Sequence, residues 1–375
     1  MAGIKTSPRM YMLVLSLLAL LLLPSGTAAQ SPQREQSFRA VQNLNLTDVR
    51  AIGESADCLW FGTGDGLYCY DGHHASKSPS IGGVRSILRD RDGTLWVGAT
   101  DGVYRLDAGQ ATPAQAFADV PGLAGVSAMI QAADGALWFG TARGLRHCDP
   151  VSESCEEEIE VDSRLRVDPD VTGLVQDDGG HIWLGTWLMG VYRYDLSAVT
   201  PVEGFAGETV FAIAPDSTGN LWFGTTNGAF RRQPDGSLEQ VLTGVPVLSI
   251  AEDNEHAMWL GTSDGVARLF GGEMTTFTTA DGLVGNAVQA IWQDGKESGL
   301  WFGTESGVSR FDGHFWHDIT TEDGLPHAIV RALASAGEDV LWVGTADGIC
   351  RLREGKCRTE DALAELYVRA LWRDP

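Results

Sequence analysis

Residues 59–71 read LWFGTGDGLYCYD, and the rest of the chain repeats this phrase seven times. Each copy holds a Trp after an apolar residue, a short polar turn that ends in Gly, and a second apolar segment. The copies begin at residues 59, 95, 137, 182, 221, 258, 300 and 341. Their tryptophans are 36 to 45 residues apart: Trp60, Trp96, Trp138, Trp183, Trp222, Trp259, Trp301 and Trp342. Repeats of about forty residues with short β-rich segments are typical of β-propeller blades.

A second apolar segment precedes each Trp and completes the repeat. Six valines stand twelve residues before their Trp, and Val49 and Val288 stand eleven and thirteen residues before theirs. We therefore divide each blade into an inner strand A that begins at this Val, a strand B with the Trp, a strand C after the Gly, and a variable outer strand D. The prediction is an all-β fold, a single β-propeller of four-stranded blades, with eight blades favoured over seven plus a leftover repeat.

The two ends of the chain differ from the repeats. Residues 1–29 have a basic start with Lys5 and Arg9, the apolar run YMLVLSLLALLLLP and the small residues SGTAAQ, which is the layout of a secretory signal peptide. An uncleaved membrane anchor is the alternative, and the run is short for a spanning helix. Residues 30–37 are assigned to a linker, 38–357 to the propeller, and 358–375 to a partial ninth repeat or the start of a continuation. The segment at Phe38 resembles an outer strand that could close the ring.

Charge and cysteines agree with an exported chain. The formal net charge of −23 argues against a nucleic-acid partner and keeps a secreted protein soluble. Six cysteines fall into three sequence-local pairs, and an oxidising compartment favours disulfides. We expect Cys58 to pair with Cys69, Cys148 with Cys155, and Cys350 with Cys357. The predicted location is periplasmic or secreted, with a membrane contact only if the leader is an uncleaved anchor.

The repeat phrase, together with the linker TTEDGLPHAIV at residues 320–330, closely resembles the two-component regulator propeller repeat. Repeats of this family form the periplasmic ligand-binding part of bacterial sensor proteins, which continue into a histidine kinase or a diguanylate cyclase. The resemblance implies a sensor input module for a two-component or cyclic-di-GMP system. It further implies a small-molecule or oligosaccharide ligand and a signalling partner protein.

Arginines at the second position of strand A are the first candidate site. Strand A is innermost in a propeller, so these side chains should border the central channel. With the ring closed, Arg331 of blade eight would lie beside Arg50 and Arg85 of blades one and two. Arginine clusters suit bidentate capture of carboxylate or sulfate, so we expect an anionic ligand such as an acidic oligosaccharide, with pairing to Asp or Glu as the alternative.

Aromatic and apolar residues that interrupt the repeat are the second candidate. The turn between strands B and C in blade four reads Trp187, Leu188 and Met189, where the other blades have polar turns such as GDG or SDG. Trp316 lies in a variable outer strand. Exposed indoles pack well on planar sugar faces, and a protein partner would use the same groups.

The sequence offers little support for catalysis. No metal-type His pair, nucleophile motif or phosphate-binding loop is present, so no cofactor, no metal and no enzymatic activity are expected. A propeller enzyme of the streptogramin-lyase type and a protein-interaction scaffold are the alternatives. Six of the eight residues three positions after the turn Gly are Arg, which predicts a repeated structural salt bridge or hydrogen bond: Arg105, Arg193, Arg231, Arg268, Arg310 and Arg351.

Overall fold

The structure is a computed structural model of the 375-residue chain. It describes residues 49–54, 58–70, 75–78, 81–107, 114–118, 120–141, 144–156, 159–160, 171–293, 299–335, 340–364 and 368. The predicted signal peptide, the linker and the strand at Phe38 lie outside these residues. Among the residues it describes, no helix is long and apolar enough to span a membrane.

Eight antiparallel sheets follow one another along the chain, which confirms the eight-bladed β-propeller. The first four blades contain strands β1 (Val49–Glu54), β2 (Leu59–Thr63), β3 (Gly66–Tyr70), β4 (Ala75–Lys77), β5 (Val84–Arg89), β6 (Leu95–Ala99), β7 (Gly102–Leu106), β8 (Ala114–Ala116), β9 (Ala128–Gln131), β10 (Leu137–Gly140), β11 (Gly144–Asp149), β12 (Ser154–Cys155), β13 (Ile159–Glu160), β14 (Val171–Gln176), β15 (Ile182–Thr186), β16 (Val191–Tyr194) and β17 (Val199–Pro201). In blade three the outer strand is divided into β12 and β13, and both pair with β11.

The other four blades are regular four-stranded sheets. They contain β18 (Val210–Pro215), β19 (Leu221–Thr225), β20 (Gly228–Arg232), β21 (Leu238–Thr243), β22 (Val247–Glu252), β23 (Met258–Thr262), β24 (Gly265–Phe270), β25 (Glu273–Phe277), β26 (Val288–Gln293), β27 (Leu300–Thr304), β28 (Val308–Phe311), β29 (Trp316–Ile319), β30 (Val330–Ser335), β31 (Leu341–Thr345), β32 (Gly348–Arg353) and β33 (Lys356–Ala364). Two one-turn 3-10 helices, Thr279–Asp281 and Thr321–Asp323, lie in the connections that follow β25 and β29.

The hydrophobic core consists of separate layers between neighbouring blades. Trp183 of blade four, for example, packs with Val210, Leu221 and Phe223 of blade five. Trp222 repeats the arrangement against Val247 of blade six. This confirms that the repeated Trp fills the space between blades, and it explains why a single blade could not bury its own faces.

A second repeated contact orients each Trp. The Trp222 indole Nε1–H donates to the Asp216 carboxylate at 2.8 Å, and Trp96, Trp183 and Trp259 make the same bond to the Asp six residues earlier. Burial acts to raise the pKa of Asp216, but hydrogen bonds from Trp222, Asn220 and Thr218 outweigh it and hold the pKa below its usual value. The Asp in the A–B turn is therefore an acceptor that fixes the buried indole.

The repeated arginine has a structural role of a different kind from the predicted one. Arg193, Arg231, Arg268, Arg310 and Arg351 stand opposite the Trp of their own blade in the strand register, and their guanidinium carbons lie 5.4 to 5.9 Å from its ring centroid. Cation–π stacking is thus the shared contact. The expected ion pairs are present in only some blades, as in Arg231 with Glu239 at 2.6 Å.

Three disulfides join neighbouring strands as predicted. Cys58–Cys69 connects the start of β2 with β3, and Cys148–Cys155 and Cys350–Cys357 connect strand C to the outer strand in blades three and eight. Each closes a loop of 7 or 11 residues, so it stabilises a hairpin and does not tie distant blades together.

The junction between blades eight and one departs from the sequence interpretation. The outer strand of blade eight is β33, which includes residues that were predicted to belong to a ninth repeat. The predicted strand at Phe38 lies outside the described residues, so its role in closing the ring stays a prediction. Val368 forms a parallel bridge with Val49, and its N–H donates to the Thr345 carbonyl at 3.0 Å. The four described strands of blade eight thus come from residues 330–364, and Val368 links this part of the chain to blade one.

Candidate functional site

The second residue of the inner strand is displaced by a β-bulge. In blades one, two and four to eight, the register with strand B shifts between the first and third residues, for example between Val49 and Ala51. The residue between them is left out of the ladder. Bulges of this kind redirect a side chain and are common beside functional sites. This explains why the position varies while the flanking Val does not: the Val is buried in the interblade core and its successor is free to face the channel.

Five of these channel-facing positions line one cavity of about 390 Å³. They belong to five consecutive blades: Arg50, Arg85, Ser127, Thr172 and Phe211. The structure therefore brings Arg50 and Arg85 together as expected. Ser127, Thr172 and Phe211 were not predicted as site residues, although they occupy the same repeat position and could have been found by applying one rule to every blade.

Arg331 is not among the described residues that line this cavity. Its Nη1 donates to the Gln289 side chain of blade seven at 3.3 Å, and Gln289 is also the second residue of its inner strand. Arg331 thus contacts blade seven, and its predicted place beside Arg50 and Arg85 in one ligand site stays a prediction.

The apolar turn of blade four lies at the same end of the strands as the bulges. Because strands A and B are antiparallel, the end of β15 is opposite the start of β14, so residues 187–189 lie near the channel mouth. The Trp187 ring meets Phe211 edge to face, with centroids 6.4 Å apart. Trp187 is 54% exposed and Phe211 36% exposed. The two rings thus form an aromatic rim beside the cavity.

Backbone contacts fix this turn, and the side chains of Trp187 and Leu188 remain exposed. Leu188 has a left-handed φ of 64° and donates its N–H to Thr209 Oγ1 at 3.2 Å. Gly190 also has a positive φ, and a Cβ there would collide with the Phe205 carbonyl, so this position requires Gly. Leu188 is 61% exposed, whereas Met189 packs into the core between blades three and four. The prediction of an exposed apolar surface at this turn therefore applies to Trp187 and Leu188 but not to Met189.

In other blades the same turn carries an acid that is used locally. Asp101 of blade two accepts from the Gly82 N–H and from the Tyr104 hydroxyl, both at 3.0 Å. Burial, with this bond to Asp101, raises the pKa of Tyr104 to about 12. Blade four has no such acid in its B–C turn. Trp187 and Leu188 stand there instead, so this turn presents an apolar surface.

Trp316 does not belong to the channel mouth. Its ring packs against Phe311, Phe302 and Phe277 at centroid distances of 4.7, 5.3 and 5.6 Å. This aromatic cluster fills the layer between blades six and seven. The predicted ligand-binding role for Trp316 is corrected to a core role, because its outer strand turns the indole inward.

The cavity is suited to binding. Two guanidinium groups supply positive charge, Ser127 and Thr172 supply hydroxyl groups, and Phe211 with Trp187 supplies flat apolar surface. The described lining residues include no His, Cys, Asp or Glu. Across the part of the chain that the structure describes, no group of three or more such residues is placed to hold a metal ion.

Comparison with known proteins agrees with the fold and with the repeat. Residues 78–101 and 204–227 match the two-component regulator propeller family, so the chain contains repeats of this family, as the sequence predicted. No curated protein is significantly similar to the chain.

Several solved structures share the fold. Extracellular domains of two hybrid two-component systems from B. thetaiotaomicron are similar at TM-scores of 0.53 and 0.51, with 18% and 19% identity, over 88% and 84% of this chain. The chain spans about half the length of those domains, 50% and 52%. Virginiamycin B lyase from Staphylococcus aureus has a TM-score of 0.51 and 17% identity, over 70% of this chain and 91% of the lyase. At these identities the similarity shows a shared propeller fold.

Proposed function

We propose that this chain, built from two-component regulator propeller repeats, is an exported sensor module that binds an anionic, glycan-like ligand at the mouth of its central channel. The observation that carries the proposal is the cavity of about 390 Å³ in which Arg50 and Arg85 lie across from the rim formed by Phe211 and Trp187. Charge on one side and flat apolar surface on the other match a sugar that bears a carboxylate or a sulfate.

Export to an extracellular or periplasmic compartment is supported by two observations. Three disulfides are present, and disulfides persist in oxidising compartments. The similar B. thetaiotaomicron structures are extracellular domains. As an input module of a two-component or cyclic-di-GMP system, the propeller would transmit occupancy of the channel to a signalling partner protein.

Binding without turnover is favoured over a lyase activity. Proton transfer in a lyase needs a positioned acid or base such as His or Glu. The described residues around this cavity supply arginines, hydroxyl groups and apolar side chains. The resemblance to virginiamycin B lyase is one of fold.

Isothermal titration calorimetry tests the proposal with a uronic-acid trisaccharide and a neutral hexose trisaccharide of the same linkage. We expect the wild-type chain to bind the uronate and to bind the neutral sugar at least tenfold more weakly. The double variant Arg50→Ala, Arg85→Ala should lose about tenfold or more in affinity, since a hydrogen bond to a charged group contributes about 1.5–3 kcal/mol.

Arg89→Ala is the matched control, because it removes an exposed arginine at the other end of β5, the strand that carries Arg85. It should bind the uronate as the wild type does. Equal uronate affinity in the wild type and the channel double variant would overturn the assignment of the site. Consumption of the trisaccharide during the titration would overturn the non-enzymatic role.

A further inference from the structure

The hairpin β32–β33 of blade eight carries a face of four basic side chains. Arg351 is paired in register with Arg358, and Arg353 with Lys356. Residues on the opposite face of the hairpin, among them Cys350, Leu352 and Cys357, are buried in the core between blades seven and eight. We call the four residues Arg351, Arg353, Lys356 and Arg358 the basic face.

The basic face borders an open cavity of about 530 Å³, and Glu354 is the acidic residue among its described lining. Arg353, Lys356 and Arg358 are exposed, while Arg351 stacks on Trp342 with its guanidinium carbon 5.9 Å from the ring centroid. The Cys350–Cys357 disulfide holds the two strands together directly behind this face. The charges are therefore presented on a rigid support.

In three other blades the arginine at the position of Arg351 forms an ion pair with a glutamate. Arg105 pairs with Glu153 at 2.8 Å, Arg231 with Glu239 at 2.6 Å, and Arg268 with Glu255 at 3.2 Å. In blade eight the residue across from the stacked arginine is itself an arginine, Arg358. Like charges directly opposite on paired strands are destabilising. The four cations thus form a concentrated positive patch in a chain whose net charge is −23.

We propose that the basic face docks an extended acidic peptide segment of a partner protein, which adds to the outer edge of β33 as a fifth strand. β33 is nine residues long and is the last strand in the order of its sheet. Among the described strands, none pairs with its outer edge. An added strand would form main-chain hydrogen bonds there.

Strand geometry fixes the pattern of the partner. Side chains two residues apart on a strand lie on the same face about 7 Å apart, and directly opposite side chains on paired strands are about 5 Å apart. An acidic residue at every second position of the added strand would place carboxylates beside Lys356 and Arg358. Three of the four cations are arginines, whose planar groups match carboxylates in a bidentate manner.

Fluorescence anisotropy with the full chain and labelled eight-residue peptides tests this inference. The probe peptide alternates Glu and Thr. The first control peptide alternates Lys and Thr, and the second carries the four Glu residues consecutively. The third has the sequence of the probe with backbone N-methyl groups that block strand pairing. We expect the alternating acidic probe to bind, and each control peptide to bind at least tenfold more weakly. The double variant Arg353→Ala, Lys356→Ala should lose at least tenfold in affinity, whereas Lys77→Ala, in the outer strand of blade one, and the channel variant Arg50→Ala should bind as the wild type does.

Equal binding of the N-methylated probe would overturn strand addition. Equal affinity in the Arg353→Ala, Lys356→Ala variant would overturn the site, provided that its thermal melting matches that of the wild type. Binding of a sulfated oligosaccharide to this face without binding of the acidic peptide would overturn the choice of a peptide partner. None of these results depends on the channel ligand, because the Arg50→Ala variant separates the two sites.

Discussion

Replacing Asp216 with Ala should destabilise the propeller through a single buried indole. Trp222 is 1% exposed, and its Nε1–H donates to Asp216 Oδ2 at 2.8 Å. Removing the acceptor leaves a buried donor without its partner, which costs about 1–3 kcal/mol. The same carboxylate accepts from the Thr218 and Asn220 N–H groups at 2.9 Å each, so the A–B turn is weakened as well. We expect a total loss of about 3 kcal/mol in the free energy of unfolding.

A double-mutant cycle isolates the part that belongs to the indole. Trp222→Phe removes the donor, so Asp216→Ala should cost less in that background, with a coupling energy of about 1–2 kcal/mol. Urea unfolding followed by far-ultraviolet circular dichroism gives the four free energies without depending on the fluorescence of Trp222. Asp216→Asn is the milder control, because its amide oxygen can still accept the indole N–H.

If Asp216→Ala costs the same in both backgrounds, within about 0.5 kcal/mol, the indole bond does not stabilise the blade and the reasoning is refuted. If the coupling energy has the expected size, we expect a similar value for the equivalent pairs, since their hydrogen bonds have the same geometry. These pairs are Trp96 with Asp90, Trp183 with Asp177 and Trp259 with Asp253.

Three further outcomes are expected. The pKa of Asp216 is lower in the folded chain than in the unfolded one, so the ionised carboxylate stabilises the fold fully above about pH 4 and less as the pH falls through the folded-state pKa. The difference in the free energy of unfolding between wild type and Asp216→Asn, measured in urea, should therefore shrink towards about pH 2.5. A growing difference would contradict this. Glu252 accepts from the Ser217 N–H and hydroxyl of the preceding blade at 2.7 and 2.5 Å, so Glu252→Ala should cost about 1–2 kcal/mol by urea unfolding. Glu252→Gln should cost less, because Gln131 and Gln176 accept equivalent backbone N–H groups in blades three and four, and equal losses in the two variants would argue against this bond. Trp187→Ala should leave the free energy of unfolding within about 0.5 kcal/mol of wild type and reduce the fraction of fluorescence that acrylamide quenches, whereas a larger destabilisation would place the indole in a packed environment.

The repeat alone was enough to predict the fold because each blade restates the same local chemistry. The Trp spacing, the Val before each Trp and the cysteine pairs all depend on contacts within one blade or between neighbours. The site was harder to predict. Arg50 and Arg85 were found because their position in the repeat fixes where their side chains lie.

The errors share one physical cause, which is that sequence comparison shows an unusual residue but not the direction of its side chain. Trp316 and Trp187 both interrupt the pattern, yet one indole meets three phenylalanines in a core layer and the other remains 54% exposed. Met189 and Leu188 are adjacent in the chain and differ in the same way, because the positive φ of Leu188 separates their directions. These distinctions depend on the local backbone and on neighbouring blades.

The bulge at the start of seven of the eight inner strands has a consequence for how such a protein can diversify. Because the displaced residue is excluded from the ladder and the buried Val beside it carries the packing, the proposed ligand contacts and the stability of the blade depend on different, adjacent residues. Randomising only Arg50, Arg85, Ser127, Thr172 and Phe211 would create a combinatorial library of binding specificities on an unchanged scaffold. The same separation lets natural variation explore new ligands one blade at a time, without compensating changes in the core.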